Sequence, residues 1–259
     1  MQITRCNFKG DTTNDAETAG IVVQGGDIHI TQCQMAHHNS GAIMLDLQPQ
    51  NFCLIEDNNI VSCQTAGIYC QGESSTPRIK GNKIMFCKCS AIKTYLGVRA
   101  EIVSNEITIN DVGIEVVNNA SKLVDNTIEK CHENGIIIIG DNPDIRSKPL
   151  LYKNRIISCG FNGVICTGSQ CEPDIRGNQI QSNRKAGIKL NECAKANIGG
   201  TCKEDLTEDD PEEFLSDSQN TKHPPNLFGS TGTLGETKQD KLFDPKRMLK
   251  RNTISSNYN

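Results

Sequence analysis

The chain has 259 residues, a formal net charge of −4, 13 cysteines, four tyrosines and no tryptophan. A mildly acidic chain without a clustered Lys/Arg face is not built to hold nucleic acid or an anionic membrane surface. No apolar run approaches the ~18 residues of a membrane span, and the start lacks the charged, apolar, small-residue order of a signal peptide, so the expected location is the cytoplasm.

One pattern recurs from the first residues onward: apolar-x-x-Asn-x-Ile-x-x-Cys/Asn, a few residues, then Gly-Ile-x-apolar. It is plainest in the stretch ending at Cys166, LLYKNRIISCGFNGVIC. The Asn slot is held by Cys6 and Cys33 in the first two copies, then by Asn58, Asn82, Asn105, Asn126, Asn154, Asn178 and Asn252. Two residues later an apolar side chain always follows, from Phe8 and Met35 to Ile180 and Ile254. Three further on stand His38, Cys63, Cys87, Asn110, Cys131, Cys159, Asn183 and Asn257, a second column.

Up to Asn178, successive slots lie 21 to 28 residues apart, too short for helix-pair repeats and compatible with leucine-rich repeats or a parallel β-helix. Leucine is scarce, whereas Ile and Val come in short runs bounded by Gly, Asn and Pro, as buried parallel strands require. The expected fold is therefore all-β, a single-chain parallel solenoid of about eight to nine coils. Coils stacked ~4.8 Å apart would set each Asn amide over the next in a buried hydrogen-bonded ladder. In the second column Cys63, Cys87, Cys131 and Cys159 replace amides by small apolar packing.

Coil one carries a polar insert, GDTTNDAE, expected as a surface loop. Coils two to four run through Tyr95, coil five is the tightest, and coil six ends in Ile136 to Ile139 before a long solvated corner, GDNPDIRSKP. Coils seven and eight reach Leu190. From the Asn slot to the following Gly the count is eight or nine residues, except in the first coil; from the Gly to the next Asn slot it varies from 13 to 19, and finally 65. One corner is fixed, and all insertions are expected to leave at the other, where solenoids commonly bind partners.

Residues 1–198 are thus assigned to coils one to eight, 199–248 to a polar acidic excursion, and 249–259, LKRNTISSN and its tail, to an incomplete ninth coil. Solenoids need caps over their last coils. With neither terminus offering one, the chain is expected to be a piece of a longer protein or to be covered by a partner at one end.

The cysteine count is odd and six cysteines fall in the two inward columns, so reduced core thiols are expected rather than a disulfide framework. Cys87 with Cys89, and Cys166 with Cys171, lack the two-residue spacing of a zinc ribbon, and no metal or other cofactor is expected.

Coils such as TPRIKGNKIMFC and EPDIRGNQIQSN, alternating with GIxV strands, resemble the right-handed parallel β-helix repeats of the carbohydrate-binding and sugar-hydrolase type. The nearest resemblance is to intracellular members such as the β-helix F-box proteins of ubiquitin ligases and the Shc SH2-domain-binding protein. It covers Ile3 to Leu190 and Leu249 to Asn257 and rests on ladder and core positions, so it implies the fold far more than a function. The matched residues include no F-box, so a ligase-adaptor role is not carried over directly.

Pectate lyases and polygalacturonases share the architecture, and a carbohydrate-active enzyme or carbohydrate-binding β-helix is the alternative function. Such chemistry needs clustered carboxylates on adjacent coils. Asp57 and Asp125, in the slot before the ladder Asn, lie three coils or ~14 Å apart, too far for a pair. Lys93 and Glu115, on neighbouring coils, are expected to form a surface ion pair. No acid, base and metal ligand converge, so no catalytic residue is assigned and a non-enzymatic protein is expected. The lack of tryptophan also disfavours aromatic sugar platforms. What remains is an interaction or scaffold body that binds a protein partner, as a recruiting module or within a larger cytoskeletal or ciliary assembly.

In the strand after each Gly, side chains alternate inward and outward. The outward set includes Val117, Ile137, Ile139 and Ile165 on three consecutive coils, with Tyr69 and Tyr95 continuing the patch toward the N-terminal end. An apolar patch of this kind marks a contact surface. It is expected to bind a protein partner or to be covered by Phe214, Leu215, Leu227 and Phe228 of the excursion.

Overall fold

The computed structural model describes residues 1–11, 18–199 and 253–255. All regular structure in them is strand. Each coil contributes one short strand to each of three parallel sheets, of nine, nine and eight strands. The coil over Leu150–Tyr152, Arg155–Ile157 and Val164–Thr167 is typical. The architecture is a β-solenoid.

The strands are short because two corners break them at a fixed place. At the first corner Arg5, Gln32, Asp57, Ser104, Asp125 and Lys153 take φ of 52–55°, with Gly81 and Gly177 at 65° and 64°. At the second, His37, Ser62, Phe86, Ile109, Lys130, Ser158 and Ser182 take φ of 55–61°. One left-handed residue turns the chain without a loop and leaves the following residue, the ladder residue, pointing inward. The cost is largest at Ile109, whose β-branched side chain disfavours this conformation.

The core is a set of in-register columns. Ile55, Ile79 and Ile102 pair along the first sheet, and Ile60, Ile84, Ile107 and Ile128 along the second. All seven are fully buried. At ~25 cal/mol per Å² of apolar surface removed from water, each such isoleucine contributes about 1.5–3 kcal/mol.

The glycine that opens the third-sheet strand has a steric cause. A Cβ on Gly113 would lie 2.3 Å from the Gly135 carbonyl oxygen, and one on Gly163 would lie 2.6 Å from that of Gly187. Register places Ala42, and not Gly41, in this slot, since Ile43 pairs with Ile68. Ala42 and Ala91 take it in two coils, and nothing in the structure explains why these admit a methyl group.

The corner from the third sheet to the first is the variable one, with connections over 25–27, 47–52, 72–77, 96–100, 118–121, 140–149, 168–173 and 192–196. The last insertion departs from this rule. Asn197–Ile198 already pairs with Asp174 and Ile175 in the first sheet, and Thr253–Ser255 pairs with Gln179–Gln181 in the second. The last step between described strands is thus from the first sheet to the second. Residues 200–252, with Asn252 and the apolar residues Phe214, Leu215, Leu227 and Phe228, lie outside the described residues, as does Asn257.

Candidate functional site

Two ladders fix the body on which any site is built. Asn58 donates its side-chain amide to Asn82 Oδ1 at 3.0 Å, and the chain continues through Asn105, Asn126 and Asn154 to Asn178 at 2.9–3.0 Å. Each Oδ1 also accepts the backbone N–H of the preceding ladder residue, beginning with Cys33 N to Asn58 Oδ1 at 2.9 Å. The second amide proton goes to a carbonyl of the preceding coil, as in Asn126 Nδ2 to Ile102 O at 2.8 Å. Each internal amide thus makes four buried hydrogen bonds and leaves no orphan.

The second column mixes thiols and amides. Asn110 and Asn183 accept the N–H of Cys87 and Cys159 at 2.9 and 3.0 Å. In the stacked pairs Cys63–Cys87 and Cys131–Cys159 the neighbouring thiol, together with burial, holds the Cys87 and Cys131 thiols well above their ordinary pKa. Burial likewise pushes Cys53 up to about 12. All twelve described cysteines are free thiols, so this column is chemically quiet core.

The outer face of the third sheet carries the sequence-predicted partner residues. Register makes two columns: Tyr69, Lys93, Glu115, Ile137 and Ile165 in one, and Gln71, Tyr95, Val117, Ile139 and Thr167 beside it. Ile137, Ile139 and Ile165 are mutual neighbours, and Tyr95 and Val117 extend the group through the second column. The patch differs from the expectation in two respects. Val117 is only 7% exposed, because Tyr95 and Ile139 stand one coil away on either side. Tyr69 is cut off in its own column by Lys93 and Glu115, whose Nζ and Oε1 lie 2.8 Å apart while Ser90 Oγ donates to Glu115 Oε2 at 2.7 Å. Tyr69 donates instead to Gln71 Oε1 at 2.9 Å. Its pKa is raised, chiefly by burial and then by Tyr95 and Asp46.

A second apolar group escaped the sequence reading. On the outer face of the first sheet Val103, Val124 and Tyr152 stack in one column, with Leu150 beside Tyr152. It belongs to the same coils and lies across the variable corner from Ile139; the connection 140–149 joins the two. Leu96, 37% exposed, sits at this corner next to Tyr95. The signal was the alternation in first-sheet strands, readable once those strands are assigned. Elsewhere the first and second sheets present charges, paired as Lys80–Glu56 at 3.3 Å and Lys83–Glu106 at 2.9 Å.

Asp57 and Asp125 occupy first corners on coils three apart, and Asp125 Oδ2 accepts from Ser104 Oγ at 3.1 Å. His132 Nδ1 lies 3.0 Å from Asp111 Oδ1 at the other side of the coil. Among the described residues no group of three or more His, Cys, Asp or Glu is placed to hold a metal ion. None of the described residues forms a helix long and apolar enough to cross a membrane.

Stacked coils of three parallel strands with inward amide and thiol ladders define a solenoid of the β-helix class. The chain belongs to the family described as right handed beta helix region, matching it over residues 1–128 and again over 112–210. No curated protein and no solved structure matches the chain.

Proposed function

We propose that this β-helix is a non-enzymatic interaction or scaffold body that holds a protein partner across the outer face of its third sheet, as part of a larger intracellular assembly of cytoskeletal or ciliary kind. The observation that carries this reading is the apolar group Ile137, Ile139 and Ile165 on consecutive coils, continued by Tyr95 and Val117. Side chains anchored on stacked strands lose little conformational freedom when covered, which favours a flat, pre-organised contact. The resemblance of the coils to those of the F-box and Shc-binding β-helix proteins supports a recruiting role; the family match covers the repeat itself, so that kinship is part of the proposal.

The test is the double substitution Ile137→Asp with Ile139→Asp, read by capture of partners from the native source and by thermal melting. Loss of a reproducible partner with an unchanged melt supports the interface. Unchanged capture with an unchanged melt refutes it, and a lowered melt means that the protein covers this face with its own chain.

A further inference from the structure

We propose that His38 is a pH-sensitive latch that holds the first coil onto the second. His38 stands at the head of the second ladder column, where every later described member is a Cys or Asn. It is 3% exposed, and neither ring nitrogen has a hydrogen-bond partner. A neutral imidazole has one donor and one acceptor, so both are left unsatisfied in the core.

The first coil is closed over this ring. A Cβ on Gly10 would lie 2.8 Å from His38 Nδ1, and one on Gly20 would lie 3.0 Å from Nε2 and 3.1 Å from Cε1. Both glycines are pinned to the second coil by backbone hydrogen bonds, Gly10 N to Ala36 O at 2.9 Å and Gly20 N to Gly41 O at 3.3 Å, followed by Ile21 N to Ala42 O at 2.8 Å. The ring therefore fills a slot that exists only while the first coil is in place.

A proton on this imidazole brings a charge into an enclosed site where the ring makes no hydrogen bond with the described residues. Among the described residues the titratable groups around it are His37 before it, the Cys63 thiol one coil on, and Lys9 and Asp11 beside Gly10; Asp11 is exposed. The Phe8 carbonyl lies nearby without completing a hydrogen bond to the ring. Burial lowers the imidazole pKa below its ordinary 6.5, outweighing the opposite pull of that carbonyl, and His37 adds to the lowering. The folded form thus prefers the neutral ring. Its contribution to closure is complete above the ordinary value and is lost as pH falls through the folded one.

From pH 7.5 to 5.5, an imidazole whose pKa is lowered when closed and ordinary when open raises the opening equilibrium, by about tenfold at most, the limit for a ring that stays neutral throughout. Amide exchange of the full chain at these two pH values, corrected for the intrinsic pH dependence of exchange, measures this at Gly10, Gly20 and Ile21. Their protection is expected to fall in the wild type, by up to about tenfold, with that of Ile107 and Ile128 unchanged. In His38→Asn the dependence is expected to vanish, because an amide does not titrate and Asn110 and Asn183 already serve this column by donating to carbonyls of the coil before, Ile84 O and Ile156 O. Constant protection in the wild type, or an equal loss in His38→Asn, overturns the latch. Should His38→Asn not fold, the His38 ring resonance of the wild type decides: titration below 6.5 sustains the proposal, and titration at or above it overturns it.

Discussion

Replacing Asn126 by alanine interrupts the amide ladder at its middle, and the structure fixes what is lost. Asn126 Oδ1 accepts the backbone N–H of Asn105 at 3.0 Å and its side-chain amide at 2.9 Å. Asn126 Nδ2 donates to Ile102 O at 2.8 Å and to Asn154 Oδ1 at 2.9 Å. Asn154 Oδ1 keeps the Asn126 N–H at 3.0 Å after the change. Asn105 fares worse, because two of its buried protons lose their acceptor in a site closed to water. An orphaned buried donor costs about 1–3 kcal/mol, so the expected loss is about 2–6 kcal/mol. For a body of this size each kcal/mol lowers the melting temperature by about 2–4 °C, which puts the expected drop near 10 °C. Thermal melts followed by circular dichroism in the β-sheet band measure it, with Asn59→Ala, an exposed asparagine on a second-sheet strand three coils away, as a control expected to stay within about 1 °C. An Asn126→Ala protein that melts with the control would refute the account of the ladder as a buried, fully paired column.

Two further outcomes follow from the same packing. Gly135→Ala places a methyl group 2.4 Å from Ile156 Cγ2 and 2.7 Å from the Gly163 carbonyl oxygen, and overpacking against a backbone is expected to cost about 1–3 kcal/mol, visible as a lowered midpoint in urea. Of the twelve described cysteines only Cys6, Cys89 and Cys193 are exposed; alkylation of the native protein with peptide mapping is expected to label these within minutes and the buried nine only after denaturation. Prompt labelling of Cys87 or Cys131 would contradict their place in the core.

The repeat period, the inward isoleucines and the positions of the amide and thiol columns were all legible in the sequence, because each is set by alternation within a strand only two to six residues long. Such alternation is local and needs no knowledge of what lies on the next coil. The partners of each residue were not legible, since they depend on loop lengths that shift one coil against another. Asn134 and Asn162 show this: they form a separate amide pair at 2.8 Å at the mouth of the third sheet, from positions that read as ordinary turn residues. At the variable corner, Thr94, Asn119 and Ser121 join in a buried network through Asn119 Nδ2 to Thr94 Oγ1 at 3.1 Å and Ser121 Oγ to Asn119 Oδ1 at 2.8 Å, although they lie on different strands and loops.

The candidate surface divides in the same way. Alternation alone put Ile137, Ile139 and Ile165 on the outside. Only the stacked register decided that Val117 is sheltered between Tyr95 and Ile139, that the Lys93–Glu115 pair separates Tyr69 from the rest, and that Val103, Val124 and Tyr152 form a second group across the corner. His38 is the sharpest case. Its column is readable from spacing, but its missing hydrogen-bond partners follow from where Gly10 and Gly20 meet it, 28 and 18 residues away in the chain. A sequence with a strict short period determines which way each side chain points, while the stacking of coils decides what it finds there.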